Sequence, residues 1–306
     1  MLIHFIHPGR SYLPELAAYQ AFLQSRGHDA FIHTDPHGVP EQATVMWWMC
    51  GTVPGEVTAR HAQAWQVHEY ASASVPPLAW LKDKAKAWRQ PRPQYRIFQN
   101  EWVKDRMGFN DAIPYEYRDM GISPDFPNAS GVPRAPAYDF VYLGDMHRLV
   151  RFRPLLQGLE QAGRSVLLVG DMPANLRNWL DGRPFATMAG RVPHSEVAAL
   201  LTSARYGLNL VPDKAPYNQQ TSTKLLEYCA AKLPIISTDY PWVRRFEQSL
   251  GAHFFYVPGN GAAATYARLL GSDLELRLHP PVSMPQRTWP SILEGLRIWR
   301  HLGIQP

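Results

Sequence analysis

Short apolar runs alternate with helix-like segments along almost the whole chain, and this order limits the fold more than any other feature of the sequence. "LIHFIH" (2–7) is strand-like, and "PGRSY" is a turn. "LPELAAYQAFLQSRGH" then spaces its apolar residues at helical intervals, and Gly27 stands where a C-cap would. "AFIHT", "ATVMWWM", "WQVHEYA" and "YRIFQN" are further strand candidates, with helical or loop segments between them. Continuous apolar strands alternating with helices predict a parallel sheet covered on both faces.

The alternation stops and then restarts. "GISPDFPNASGVPRAPA" (121–137) is dense in Gly, Pro, Asn and Ser, a linker composition. After it come "YDFVYLGD", a helix over about 150–162, "SVLLVGD", a helix near 174–180, "FATMAG" and a helix near 195–203. "YGLNLVP", a helix from about Ser222, "PIIST", another helix and "FFYV" complete the series. The fold class expected is α/β, with two doubly wound, Rossmann-like domains facing across a cleft. The boundaries are 1–133, 134–283 and a C-terminal segment 284–306. In that segment "TWPSILEGLRIWRHLG" reads as one amphipathic helix.

With 306 residues, 45% hydrophobic and 19% charged, the chain has globular composition and enough length for two cores. Cys50 and Cys229 are too few for a disulfide framework or a zinc site. No run is long enough to span a bilayer, and "MLIHFIHPGR" lacks the layout of an export signal, so a cytoplasmic location is expected. Charge is uneven: residues 1–133 hold 12 Lys and Arg against 13 Asp and Glu, and residues 134–306 hold 19 against 13. A basic second half suits an anionic ligand, and equally nonspecific contact with nucleic acid or lipid, between which charge alone does not choose.

Ligands of open parallel sheets bind beyond the carboxyl ends of the strands. In "QQTSTKLLEYCAAKLPIIST" (219–238) a helix starting near Ser222 would expose unpaired N–H groups, and the helix dipole there favours an anion. Ser222 and Thr223 add hydroxyl donors and Lys224 a positive charge, while Glu227, one turn on, can accept from ligand hydroxyls. A phosphate beside a diol is what a nucleotide presents. The plainer alternative is an ordinary N-cap with Lys224 and Glu227 solvated. Gly144 forms the turn of "YLGDMHRLVRFRP", where Arg148, Arg151 and Arg153 could clamp a diphosphate or lie on a helix surface. "GDMP" and "GRVP" are two more glycine turns at strand ends.

The order "FVYLGD…LLVGDMP…GRVPHSEVAALLTSARYGLNLVP…STKLLEYCAAKLPIIST" resembles the donor domain of GT-B glycosyltransferases, in particular the large retaining family 4. The resemblance implies diphosphate contacts for Arg151 and Lys224, ribose contacts for Glu227 and base contacts through Arg191 and Val192. Two positions depart from the family pattern. Asp145 stands where members often carry Arg, leaving Arg148 or Arg153 as substitutes. Gln219 stands where the first of two paired glutamates would approach the donor sugar. In the first half, Gly9 resembles the glycine that lets backbone approach the donor phosphate, with Arg10 beside it. His68 resembles the cleft histidine beside the anomeric centre, which would orient hydroxyls rather than act as a base; a structural histidine is the alternative. Trp289 and Trp299 would pack as core where the closing helix crosses back onto the first domain.

The resemblance implies transfer of a sugar from a nucleotide-sugar donor to a glycan or lipid-linked acceptor, with retention, as in polysaccharide biosynthesis. No Asp-x-Asp pattern sits at a cleft strand end, so no metal and no cofactor beyond the donor substrate is expected. The alternative is a catalytically weak or inactive nucleotide-sugar-binding protein on the same scaffold. A solute-binding protein would need an export signal, and a nucleic-acid partner would need basic residues on one face with interleaved aromatics. In "LAWLKDKAKAWRQPRPQYRIFQNEWVKDR" (78–106) a helical projection puts Trp80, Leu81, Ala85 and Trp88 in one arc, opposite Lys82, Lys86 and Arg89. That arc either packs into the core or meets a membrane surface.

Overall fold

The computed structural model describes residues 1–9, 13–124, 126, 136–271, 274 and 287–305. It divides into two units, Met1–Ser123 with Gln286–Pro306, and Pro124–Pro285. Most of the expected linker, both expected domain boundaries and Arg10 lie outside the described residues.

The first unit runs β1 (Leu2–Ile6), α1 (Pro14–Gln24), β2 (Asp29–His33), β3 (Val45–Met49), α2 (Gly55–Arg60) and β4 (Trp65–Tyr70). It continues with α3 (Ala79–Arg89), β5 (Tyr95–Phe98), α4 (Glu101–Met107) and β6 (Tyr115–Tyr117). Its six strands are parallel in the order β2-β1-β3-β4-β5-β6. Strand β3, "VMWWM", is buried along its whole length, as its uninterrupted apolar run requires.

The second unit begins with β7 (Tyr138–Leu143), α5 (Met146–Leu149), a 3-10 turn (Val150–Phe152) and α6 (Arg153–Gln161). Next come β8 (Val166–Val169), α7 (Ala174–Leu180), β9 (Ala186–Gly190), α8 (His194–Leu201) and β10 (Ala204–Asn209). It ends with α9 (Thr223–Ala230), β11 (Ile235–Thr238), α10 (Pro241–Leu250), β12 (Phe255–Val257) and α11 (Ala263–Leu269). The sheet is again six-stranded and parallel, ordered β12-β11-β10-β7-β8-β9. The direction of winding therefore reverses between β7 and β10. The crevice a doubly wound sheet offers a ligand lies beyond the carboxyl ends of those two strands.

The chain then rejoins the first unit through α12 (Trp289–Glu294) and α13 (Ile298–His301). The single helix expected over this stretch is two. Gly295 ends the first, and the Glu116 carboxylate starts the second by accepting from the N–H groups of Arg297 at 2.7 Å and Ile298 at 2.9 Å. Trp289 and Trp299 are buried. The Trp299 ring lies 5.1 Å from Phe22 and 5.7 Å from Trp47, so the closing segment completes the first unit's core.

Helix α3 reverses the usual arrangement. Trp80, Leu81 and Trp88 are exposed, and the one buried side chain is Asp83. Asp83 accepts from the Ser74 N–H at 2.9 Å and pairs with Arg106 at 3.4 Å, which compensates its burial. The packing of this helix is thus set by a carboxylate, and its aromatic arc is left in solvent.

Candidate functional site

Three glycine turns close the carboxyl ends of β7, β8 and β9, and they are tied together through backbone. The Gly144 N–H donates to the Val169 carbonyl at 3.0 Å, and the Gly170 N–H to the Gly190 carbonyl at 2.8 Å. Gly170 has φ +151°, and a Cβ there would lie 2.2 Å from the Gly144 oxygen. Only hydrogen fits. Gly170→Ala should therefore cost about 3 kcal/mol or more, combining the forbidden backbone region with a backbone clash that cannot relax cheaply. Urea denaturation checks this, and a cost below about 1 kcal/mol would mean that the turn shifts freely.

Across the switch point, β10 leads through a loop to α9. Ser222 is the N-cap residue, yet its hydroxyl does not cap: it donates to Asn209 Oδ1 at 2.8 Å. Asn209 is fully buried, and its amide donates to Ser237 at 2.9 Å and to Tyr240 at 3.0 Å. This network fixes the entry to α9 from below, while Thr223 stands exposed at the first helical position.

Lys224 is the unusual residue. It is only 9% exposed, and its ammonium lies 4.1 Å from the centre of the Tyr142 ring. A Cβ on Gly144 would stand 4.0 Å from Nζ. Among the described residues the ammonium has no hydrogen bond and no ion pair. Burial, reinforced by the nearby Arg148 charge, brings its pKa down from 10.5 to about 7. A buried, unpaired ammonium beside an open glycine turn and a helix N-terminus is arranged to receive an anion.

Glu227 sits one turn into α9. One carboxylate oxygen meets His194 Nε2 at 2.9 Å, and the hydrogen bond to Glu227 raises the histidine's pKa despite burial. His194 is the first residue of α8, just after the "GRVP" turn. Arg148 pairs with Asp145 at 3.2 Å, and its guanidinium lies 4.5 Å from the Tyr217 ring. Asp145 also caps α5 by accepting from the His147 N–H at 2.9 Å.

The second unit thus brings Gly144, Arg148, Ser222, Thr223, Lys224 and Glu227 to the switch point. The other candidates make different contacts. Arg151 is exposed on the 3-10 turn. Arg153 donates to the Asn175 carbonyl at 2.5 Å beside Trp179, so it ties α6 to α7. Arg191 is exposed beside Asp171 at 3.9 Å, and Val192 is half-buried in the same turn. Gln219 accepts from Arg245 at 3.3 Å. Tyr142, Tyr217, Asn209 and His194 were not singled out by sequence reasoning. Each reaches the site by tertiary contact, and only His194, beside a glycine turn, carried a local hint.

In the first unit Gly9 follows β1, where that sheet's winding reverses between β1 and β3. His68 is 1% exposed within β4, between Trp48 and Arg96 on the flanking strands. Burial and Arg96 bring its pKa down to about 3, so the ring is neutral near pH 7. Its Nε2 has no polar partner among the described residues. As placed, it is a core side chain, and meeting a substrate would require it to be uncovered.

Residues 148–270 match the family model described as glycosyl transferase-like. The fold is GT-B. Sucrose-phosphate synthase from Thermosynechococcus elongatus aligns at 15% identity over 99% of both chains, with a TM-score of 0.65. A glycosyltransferase from Rickettsia africae aligns at 13% identity over 89% of both chains, at 0.62. Anabaena HepE, solved with UDP and glucose, aligns at 10% identity over 95% of this chain and 92% of its own, at 0.59. No curated protein matches the sequence. At these identities the structural likeness extends to the GT-B fold and no finer. Among the described residues no cluster of three or more His, Cys, Asp or Glu could hold a metal ion, and no helix is long and apolar enough to cross a membrane.

Proposed function

We propose that the chain transfers a sugar from a nucleotide-diphosphate donor to a glycan or lipid-linked acceptor, with its donor site at the β7–β10 switch point. The observation that carries this reading is Lys224, a buried and unpaired ammonium at a helix N-terminus against Gly144. The diphosphate gains negative charge as the glycosidic bond breaks. Lys224 and the first N–H groups of α9 would stabilise that charge where it develops, assisted by Arg148 once a phosphate competes with Asp145. Glu227, oriented by His194, would accept from the ribose hydroxyls, and the turn at Arg191 and Val192 would face the base. Arg151 and Gly9 are further diphosphate contacts, and Gln219 a sugar contact, on resemblance alone. Retention rests on the same ground, metal-independent transfer on the lack of an Asp-x-Asp pattern at a cleft strand end, and a cytoplasmic location is part of the proposal. His68 beside the anomeric centre, orienting hydroxyls, is likewise proposed on resemblance alone, and at 1% exposed it would have to be uncovered to meet a substrate.

A second reading, nucleotide-sugar binding with little or no turnover, is favoured by Gln219, a neutral amide engaged with Arg245. Thermal shifts against nucleoside diphosphates and their sugars, followed by assays of donor hydrolysis, test both readings. The transferase reading expects a shift of several degrees with one nucleoside diphosphate, a smaller one with the nucleoside, and slow release of free sugar from the matching donor. A shift without turnover in the presence of any acceptor supports the second reading. No shift with any nucleotide rejects both.

A further inference from the structure

We infer that α3 is a docking element for an anionic lipid surface, a function independent of the proposed sugar transfer. Of the large apolar side chains that remain in solvent, several cluster on one short stretch: Val75, Leu78, Trp80, Leu81 and Trp88. Trp88 is 83% exposed and Leu78 is 62% exposed. Leu78 also holds φ +58°, a left-handed conformation that costs a leucine about 1 kcal/mol. In water that leucine gains neither burial nor backbone ease. A cluster of exposed apolar side chains of this kind, two of them lining one groove, marks an interaction surface.

The charges around the patch select the partner. Lys82, Lys84 and Arg89 are exposed on the helix, and none of them has an ion pair with an acidic side chain among the described residues. The nearby acidic groups are already engaged, Asp83 with Arg106 at 3.4 Å and Asp105 with Lys104 at 3.6 Å. Between α3 and α4 runs an open groove of about 560 Å³, lined by Trp80, Lys84 and Trp88 on one side and Asp105, Arg106 and Met107 on the other. Indoles flanked by ammonium and guanidinium groups match the boundary between acyl chains and anionic headgroups. The rings settle at the interface, and the cations reach phosphates. A surface that sets the unpaired cations Lys82, Lys84 and Arg89 around its aromatic arc would repel a second copy of itself.

Flotation with phosphatidylcholine–phosphatidylglycerol vesicles, compared with phosphatidylcholine alone, tests the inference on the unliganded full chain. Binding is expected to the anionic vesicles at low salt and to weaken at high salt. Trp80→Ser with Trp88→Ser should lower partitioning at least tenfold, as should Lys82→Gln with Lys84→Gln and Lys86→Gln, with melting temperature unchanged because most of these side chains are exposed. No binding to anionic vesicles overturns the inference, as does binding indifferent to both sets of substitutions. If vesicles are ignored and sedimentation shows a dimer that the tryptophan variants dissociate, the face belongs to a second copy and the inference is wrong. Should one set of variants fail to fold, the other still decides. Donor binding measured on the same variants stays at the wild-type value, which separates this result from any failure of the transferase reading.

Discussion

Lys224→Met is expected to stabilise the protein and to remove its response to nucleoside diphosphates. Methionine fills the lysine's volume over Tyr142 without placing a charge in a site that desolvates it. Replacing buried charges by apolar side chains of similar size commonly gains about 1–4 kcal/mol, so a rise of roughly 5 °C in melting temperature is the expected scale. The sign depends on pH. Burial holds the Lys224 pKa at about 7 against 10.5 when unfolded. Between those values the unfolded chain binds the extra proton, so wild-type stability rises with pH across that window. The methionine advantage is therefore greatest below about pH 7 and fades towards 10.5. Diphosphate affinity should fall about a hundredfold, and nucleoside affinity by less than about threefold, because a buried charge interaction is lost only in the first case. In the wild type, a bound diphosphate lifts the lysine's pKa, so affinity for a nucleotide sugar declines by up to about tenfold per pH unit above 7. Calorimetry in buffers of different ionisation enthalpy would register the accompanying proton uptake. A destabilised variant that loses diphosphate and nucleoside equally would make Lys224 a structural residue.

The two sheets were legible in the sequence because their central strands are buried on both faces. "VMWWM" and "VLLV" carry no polar residue along their length, and the helices between the strands could be spaced by periodicity. The α9 stretch was legible for a different reason: Lys224 and Glu227 lie on one helix, so local geometry fixes their separation. The partners of those two residues were not legible. Tyr142 reaches Lys224 and His194 reaches Glu227 only after β7, β9 and β10 have been arranged in the sheet. Pattern also could not separate three similar arginines. Arg148 stays beside Lys224 because α5 starts directly after the Gly144 turn, whereas Arg153 lies past a 3-10 turn and faces α7. Helix α3 shows the opposite limit. Its projection correctly gathers Trp80, Leu81 and Trp88, but a projection does not say which side meets the protein. That was decided by Asp83, whose partners are Ser74 and Arg106.

The largest loss of stability is expected from Arg118→Met, far from the donor site. Arg118 is 1% exposed, and its guanidinium donates to Glu69 through Nε at 2.7 Å, again to Glu69 through Nη2, and to Glu15 at 3.1 Å. Glu69 also accepts from Tyr19 at 3.1 Å and Trp47 Nε1 at 2.8 Å. Burial works against the guanidinium's charge, but Glu69, Tyr19 and Glu15 outweigh it and hold the pKa above the ordinary value. The cluster joins α1, β4 and the segment after β6, and the Trp289 ring of the returning chain lies 5.4 Å from the guanidinium. Methionine in its place would leave two acidic side chains buried with no countercharge, a change that costs about 3–5 kcal/mol. Urea unfolding followed by tryptophan fluorescence measures it. Adding Glu15→Gln and Glu69→Gln to Arg118→Met removes the unpaired charge and keeps an acceptor for Tyr19 and Trp47, so at least half of the loss should return. Arg118→Lys keeps the charge but cannot bridge both carboxyl groups with a planar fork, and should fall between the two. If the single variant costs less than about 1 kcal/mol, or the triple variant recovers nothing, shape rather than charge holds α1 to the sheet. The first unit would then owe its cohesion to the aromatic stack of Tyr19, Trp47 and Trp299.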